Sequence, residues 1–197
     1  MRKSLFFASL LLFAALSMSA QSAKWVNDPE TGYDIPVGAC SWDEILSSQL
    51  YEEEMETFYK MYEPFMPSVE DMARVCRDIF PEYRLKAIFY FGGWDNDCQE
   101  LLPAFIRWTD AISVNYNFPV DYKLVAVDRT LLSNNDEFDA AHIQDVPTVK
   151  LSMVKKDAGI VVEEVELGQF SGQLQENTLE KELYMIFARY MKYSYGR

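Results

Sequence analysis

Apolar residues recur in two rhythms along this chain, and the rhythm changes near residue 85. Between Ser41 and Pro64, Trp42, Ile45, Leu46, Leu50, Phe58, Tyr59 and Tyr62 fall at helical spacing, so one stripe of a helix faces inward. Ser41 followed by Glu44 is a capping box that sets its start. A second helix opens at Pro67-Ser68-Val69-Glu70-Asp71, carries Met72, Val75, Cys76, Ile79 and Phe80 inward, and stops at Pro81. The two form a helical hairpin that reads as scaffold. Ahead of them, Asn27-Asp28-Pro29, Thr31-Gly32 and Pro36-Val37-Gly38 are turn signals, and residues 24–39 are expected to be irregular.

From Leu85 onward strands alternate with helices. Leu85–Phe91 reads as a strand built on the apolar run Ala87-Ile88-Phe89-Tyr90-Phe91, Cys98 to about Val114 has helical spacing, and Tyr122–Val127 is a second strand, which completes a βαβ unit. Asp136–Ile143 reads as a short helix. Thr148–Val154 and Ile160–Leu167, joined by a turn at Lys156-Asp157-Ala158-Gly159, read as an antiparallel hairpin. Asn177, with Glu180 three residues on, caps a last helix whose stripe is Leu179, Leu183, Ile186, Phe187 and Tyr190. Parallel and antiparallel pairs together imply an α/β fold with a mixed central sheet.

The first residues have a different character. Arg2 and Lys3 precede a run from Leu5 to Leu16 that is apolar except for Ser9, and small residues follow. This is the three-part pattern of a secretory signal peptide, spanning residues 1–20 with cleavage expected between 19 and 23. The run is shorter than the roughly 20 residues a membrane-spanning helix needs, so no membrane span is expected. The expected location is outside the cytoplasm, in the periplasm of a bacterium. The formal net charge is −13, and loss of Arg2 and Lys3 makes it more negative. That balance argues against nucleic acid or an anionic membrane surface as partner.

Three cysteines, Cys40, Cys76 and Cys98, leave at least one unpaired in an oxidising compartment. With both early helices continuous, Cys40 would lie about 33 Å and Cys76 about 12 Å from the hairpin turn. A bridge needs Cα atoms within about 7 Å, so Cys40–Cys76 would require a break near Ser47-Ser48. Cys76 sits on an apolar stripe, and Cys40 is the best candidate for an exposed thiol or for an intermolecular bond. The lone His142 reads as a surface or packing residue, and no ligand spacing suggests a metal or cofactor.

The chemistry concentrates at Trp94-Asp95-Asn96-Asp97-Cys98, which follows a strand and a Gly92-Gly93 pair and precedes a helix. Trp94 and Cys98 match the ends of the Trp-Cys-x-x-Cys disulfide-exchange motif, Pro103 matches the proline of the helix that follows it, and Val146-Pro147-Thr148 matches the segment bearing a cis-proline. With Val127-Asp128-Arg129 and Ile143-Gln144, the region resembles exported bacterial proteins of the thioredoxin-like superfamily. The resemblance implies a thioredoxin-like three-layer sandwich over residues 85–193, with residues 24–84 as an N-terminal helical extension. It also implies a cis Pro147 that leaves Val146 main-chain groups available to an extended peptide.

The departure falls on the attacking position, which Asp95 occupies. Disulfide exchange needs a thiolate there, and a carboxylate forms no stable bond to sulfur. Cys98 matches the resolving position; neighbouring carboxylates oppose its ionisation while a helix N-terminus favours it. Asp95, Asn96 and Asp97 are all good helix caps, so the replacement reads as a cap, as a carboxylate-bearing contact surface, or as the setting of a residual thiol. The reading that follows is an exported thioredoxin-fold protein lacking dithiol exchange, which binds a protein or extended peptide through Trp94, Val146 and Pro147. A redox protein acting through Cys98 and a structural component of the envelope are the alternatives. The sequence leaves the oligomeric state open.

Overall fold

The computed structural model describes residues 23–50, 53–139, 141–175 and 178–195; the expected leader and the Asn177 cap lie outside them. Residues 24–39 are not irregular. They form strands β1 (Lys24–Asn27) and β2 (Asp34–Cys40), which pair antiparallel from Lys24↔Val37 to Asn27↔Asp34. The turn signals are the turn of this hairpin. Pro36, which disguised β2, lies in the half that pairs with β1, while Gly38, Ala39 and Cys40 pair with Ala126, Val125 and Leu124 on the other side. Prolines are tolerated in a strand where one of its sides has no neighbour.

The expected first helix is two. Helix α1 (Trp42–Leu46) has the Ser41–Glu44 capping box and ends at Ser47. The hydroxyls of Ser47 and Ser48 donate to the carbonyls of Asp43 and Ile45 at 2.8 and 2.6 Å, competing with helical continuation. Helix α2 (Glu53–Met61) and helix α3 (Met66–Ile79) follow. Despite the break, Cys40 and Cys76 are both free.

Strand β3 (Arg84–Gly92) leads into helix α4 (Asn96–Tyr116), which runs through Pro103, and strand β4 (Val120–Val127) returns parallel to β3 from Leu85↔Val120 to Gly92↔Val127. Helix α5 is only Asp136–Asp139 and not the expected run to Ile143; His142 has φ 47°, incompatible with continued helix. Strands β5 (Thr148–Asp157) and β6 (Ile160–Ser171) are joined at Ala158-Gly159, whose φ values of 47° and 84° suit a two-residue hairpin. Helix α6 (Leu179–Tyr195) closes the described chain. Across the sheet the order is β1-β2-β4-β3-β5-β6.

The two faces of this mixed sheet are covered unequally. Helices α2 and α3 pack on α4, and α3 and α4 pack on α6, so all four share one face. Between them and the sheet lies an aromatic core. Phe105 of α4 meets Phe89 at 4.9 Å, Trp108 at 5.6 Å and Tyr122 at 5.9 Å between ring centres. The opposite face carries α5, and its strands present polar pairs such as Lys86 with Glu164 at 2.9 Å and Ser152 with Glu164 at 2.7 Å. A sheet face with little helical cover needs such charges to stay solvated.

Phe105 is fully buried where α4, β3 and β4 meet. Replacing it by Ala is expected to destabilise the fold by about 3–5 kcal/mol. Tyr193→Ala, at a side chain 86% exposed, should change stability by about 0.5 kcal/mol or less. Equal shifts of the two urea-unfolding midpoints would contradict this packing.

Candidate functional site

Strand β3 ends at Gly92, where the lack of a side chain has a direct use. A Cβ on Gly92 would sit 2.6–2.9 Å from ring atoms of Trp94, closer than any real contact, so the indole folds back over the strand end. A Cβ on Gly93 would lie 3.2 Å from Ile35 and from Leu50, so the N-terminal segments close in from the other side. Trp94 is half-buried.

Arg129, just beyond β4, lies with its guanidinium 5.0 Å from the centre of the Trp94 ring. Its Nε and Nη2 donate to both Asp28 oxygens at 2.8 Å, and Nη1 reaches Glu30 at 2.9 Å. Asp28 is only 2% exposed and also accepts from the Thr31 N–H at 3.0 Å and hydroxyl at 2.7 Å. The β1–β2 turn, the loop after β4 and Trp94 therefore form one connected unit. Sequence reasoning noted Val127-Asp128-Arg129 as part of a pattern and Asp28 as a turn residue. It gave neither Asp28 nor Arg129 a role at the site.

Asp95 is the N-cap of α4. It has φ −105° and ψ 125°, and its Oδ1 accepts the Cys98 N–H at 2.8 Å. Of the three candidate caps it is the one in place, while Asn96 and Asp97 are exposed in the first turn. Cys98 is 1% exposed, and its Sγ accepts the Gly92 N–H at 3.4 Å. Ile45, Leu50 and Met55 of the N-terminal segments, together with Phe91 and Leu102, close around it. Burial pushes the thiol far above its ordinary range, and the charge of Asp95 adds to this; the Gly92 N–H pulls the other way. The opposition between the helix terminus and the surrounding groups is thus resolved toward the neutral thiol.

Cys40 is not an exposed thiol. It is half-buried in β2 opposite Leu124, and burial, then the Glu44 charge, push it up to about 12. His142 follows α5, across the sheet from α4, so it cannot act as base to Cys98. Among the described residues no group of three or more His, Cys, Asp or Glu could hold a metal ion, and no helix is long and apolar enough to cross a membrane.

The Val146–Pro147 peptide bond is cis. Thr148 pairs with Tyr90, so Pro147 lies at the same sheet end as the start of α4. Both Val146 and Pro147 are buried. Two main-chain groups here have internal partners: the Val146 N–H donates to Asp145 Oδ1 at 2.9 Å and the Pro147 carbonyl accepts from Gly172 at 2.8 Å. The Val146 N–H that the resemblance assigns to a peptide is therefore occupied. Two clefts flank the first turn of α4. One, of about 190 Å³, is lined by Tyr33, Gln49, Leu50, Trp94, Asn96 and Gln99 among others, and the second, of about 210 Å³, by Asp97, Glu100, Leu101, Gln173 and Leu174. Each is below the size of an ordinary small-molecule pocket and suits a single side chain.

From β3 onward, the parallel βαβ unit, the short helix, the antiparallel hairpin and the closing helix define a thioredoxin-like α/β fold. No family model and no curated protein matches this chain. Among solved structures, a thioredoxin of Trichomonas vaginalis is similar at 21% identity, covering 64% of this chain and 91% of that one, with a TM-score of 0.29.

The Arg129 guanidinium, and then Thr31, hold the Asp28 carboxyl well below its ordinary value of 3.8. A depressed folded-state pKa contributes stability that is complete above the unfolded value and is lost as pH falls below it. Asp28→Asn is expected to lower the thermal midpoint by a constant amount from pH 7 to about pH 5, with the gap narrowing below about pH 4. Paired melts followed by tryptophan fluorescence test this; a gap that stays constant down to pH 2 would contradict it.

Proposed function

We propose that the chain is an exported thioredoxin-fold protein that has lost dithiol–disulfide exchange and works by contact with a protein or peptide at the Trp94 end of the sheet. The observation that carries this reading is Asp95. It stands where the resemblance puts the attacking thiol, its carboxylate is committed to the α4 N-terminus, and the one thiol nearby is buried and held neutral. No thiolate is then available to attack a disulfide, and none to resolve a mixed one. What the site offers is side chains: the half-buried Trp94 and the exposed Asn96 and Asp97 beside two clefts of side-chain size.

Contact through these side chains fits better than strand-like pairing at Val146, because an incoming peptide would have to displace the Asp145 carboxylate from the Val146 N–H. Export rests on the leader pattern of residues 1–20, and the periplasm is the location that pattern supports best.

Insulin reduction in the presence of dithiothreitol tests the reading. The parent chain is expected to turn over no faster than Cys98→Ser, and Asp95→Cys to gain activity. Parent turnover well above the Cys98→Ser background would instead establish redox chemistry through Cys98. Binding of a stable envelope partner that survives both Trp94→Ala and Asp97→Lys would favour a structural role over contact at this site.

A further inference from the structure

On the helical face, away from Trp94, Arg107, Asp110, Ala111, Val114 and Asn115 recur at intervals of three and four and so form one stripe along α4. The elbow between α2 and α3 faces this stripe with Glu63, Pro64 and Met66, and the two walls enclose a groove of about 480 Å³. From residue 107 to residue 115 its α4 wall runs about 12 Å, or two helical turns. Exposed apolar side chains gather at it and beside it in the chain: Val114 is 78% exposed, Met61 74% and Phe65 42%. A single exposed apolar residue is unremarkable; here Val114 lines the concavity, Met66 faces it, and the elbow that forms the second wall also exposes Met61 and Phe65, a combination that suits a contact surface.

Charge specifies the occupant. The rim carries the exposed carboxylates Glu63 and Asp110. The cation in the lining, Arg107, already donates to the Tyr62 carbonyl at 3.3 Å and lies 5.7 Å over the Tyr59 ring. An acidic ligand would meet repulsion, whereas a basic one would find two carboxylates. The backbone groups of α4 are used within the helix, so the groove offers no main-chain ladder, and an occupant must satisfy its own backbone. A second copy is disfavoured, since the chain carries a net charge of −13 and twofold pairing would set one acidic rim against another. We propose that this groove docks a cationic amphipathic helix of a partner protein, with apolar residues on Val114 and Met66 and Lys or Arg beside Glu63 and Asp110. The site is separate from Trp94 and does not rest on the reading given for it.

The test uses fluorescence anisotropy with two synthetic amphipathic peptides of about four helical turns, one of leucine and lysine and one of leucine and glutamate in the same pattern. The purified chain is expected to bind the Leu/Lys peptide and to ignore the Leu/Glu one. Val114→Asp should weaken binding about tenfold or more, although it adds a negative charge that would strengthen purely electrostatic attraction. The double variant Glu63→Lys with Asp110→Lys should reverse the preference between peptides. Glu137→Lys, in α5 on the other sheet face, should leave affinity unchanged. Circular dichroism melts confirm that each variant is folded. Equal binding by the parent and Val114→Asp, equal binding of the two peptides, or no binding at all would overturn the proposal. So would a parent dimer in sedimentation that Val114→Asp dissolves.

Discussion

The bidentate pair between Asp28 and Arg129 joins parts of the chain a hundred residues apart, and the arrangement of the site depends on it. Asp28 stands in the turn between β1 and β2, Arg129 follows β4, and the guanidinium lies against the Trp94 ring. A buried carboxylate tolerates loss of water only when its oxygens are hydrogen-bonded, and here Arg129 and Thr31 each donate twice to it. Such a pair need not add net stability, but removing one member strands the other. Its consequence is positional. The N-terminal hairpin is held beside the motif, Ile35 and Leu50 close on Gly93, and Leu50 with Met55 covers Cys98.

The chemistry of the motif follows from the same geometry. A helix N-terminus stabilises an anion within its first turn, and in α4 that place belongs to the Asp95 carboxylate. With its N–H committed to Asp95, Cys98 sits where burial and the negative charge of Asp95 favour the neutral thiol. On the proposed reading, Asp95 in place of an attacking thiol both caps the helix and takes away the conditions for thiolate chemistry, while the framework retains the cis Val146–Pro147 bond.

Much of this was legible in the sequence where local pattern and tertiary role agree. The strands at Leu85–Phe91 and Tyr122–Val127, each buried toward its C-terminal end, were readable from the apolar residues that dominate them, and the capping box at Ser41 and Glu44 is present as expected. Pattern failed where one residue type serves two purposes. Asp28, Pro29 and Gly32 look like loop, and they are loop, but they turn a hairpin whose second strand contains a proline. Ser47 and Ser48 are tolerated in a helix and here end one through their hydroxyls. His142 sits at a backbone angle that stops α5, which nothing in its neighbours announces. The Asp28–Arg129 pair and the cover over Cys98 are long-range contacts, and no local periodicity encodes them.

On the reading proposed above, Cys98 is an inert, buried thiol on a scaffold that works by contact. Labelling of the native chain with a small alkylating reagent, resolved by residue with mass spectrometry across a urea series at neutral pH, tests it most directly. Cys98 is expected to be protected in the folded state and labelled only in step with global unfolding. Rapid labelling of Cys98 without urea, at a rate that urea does not change, would contradict it.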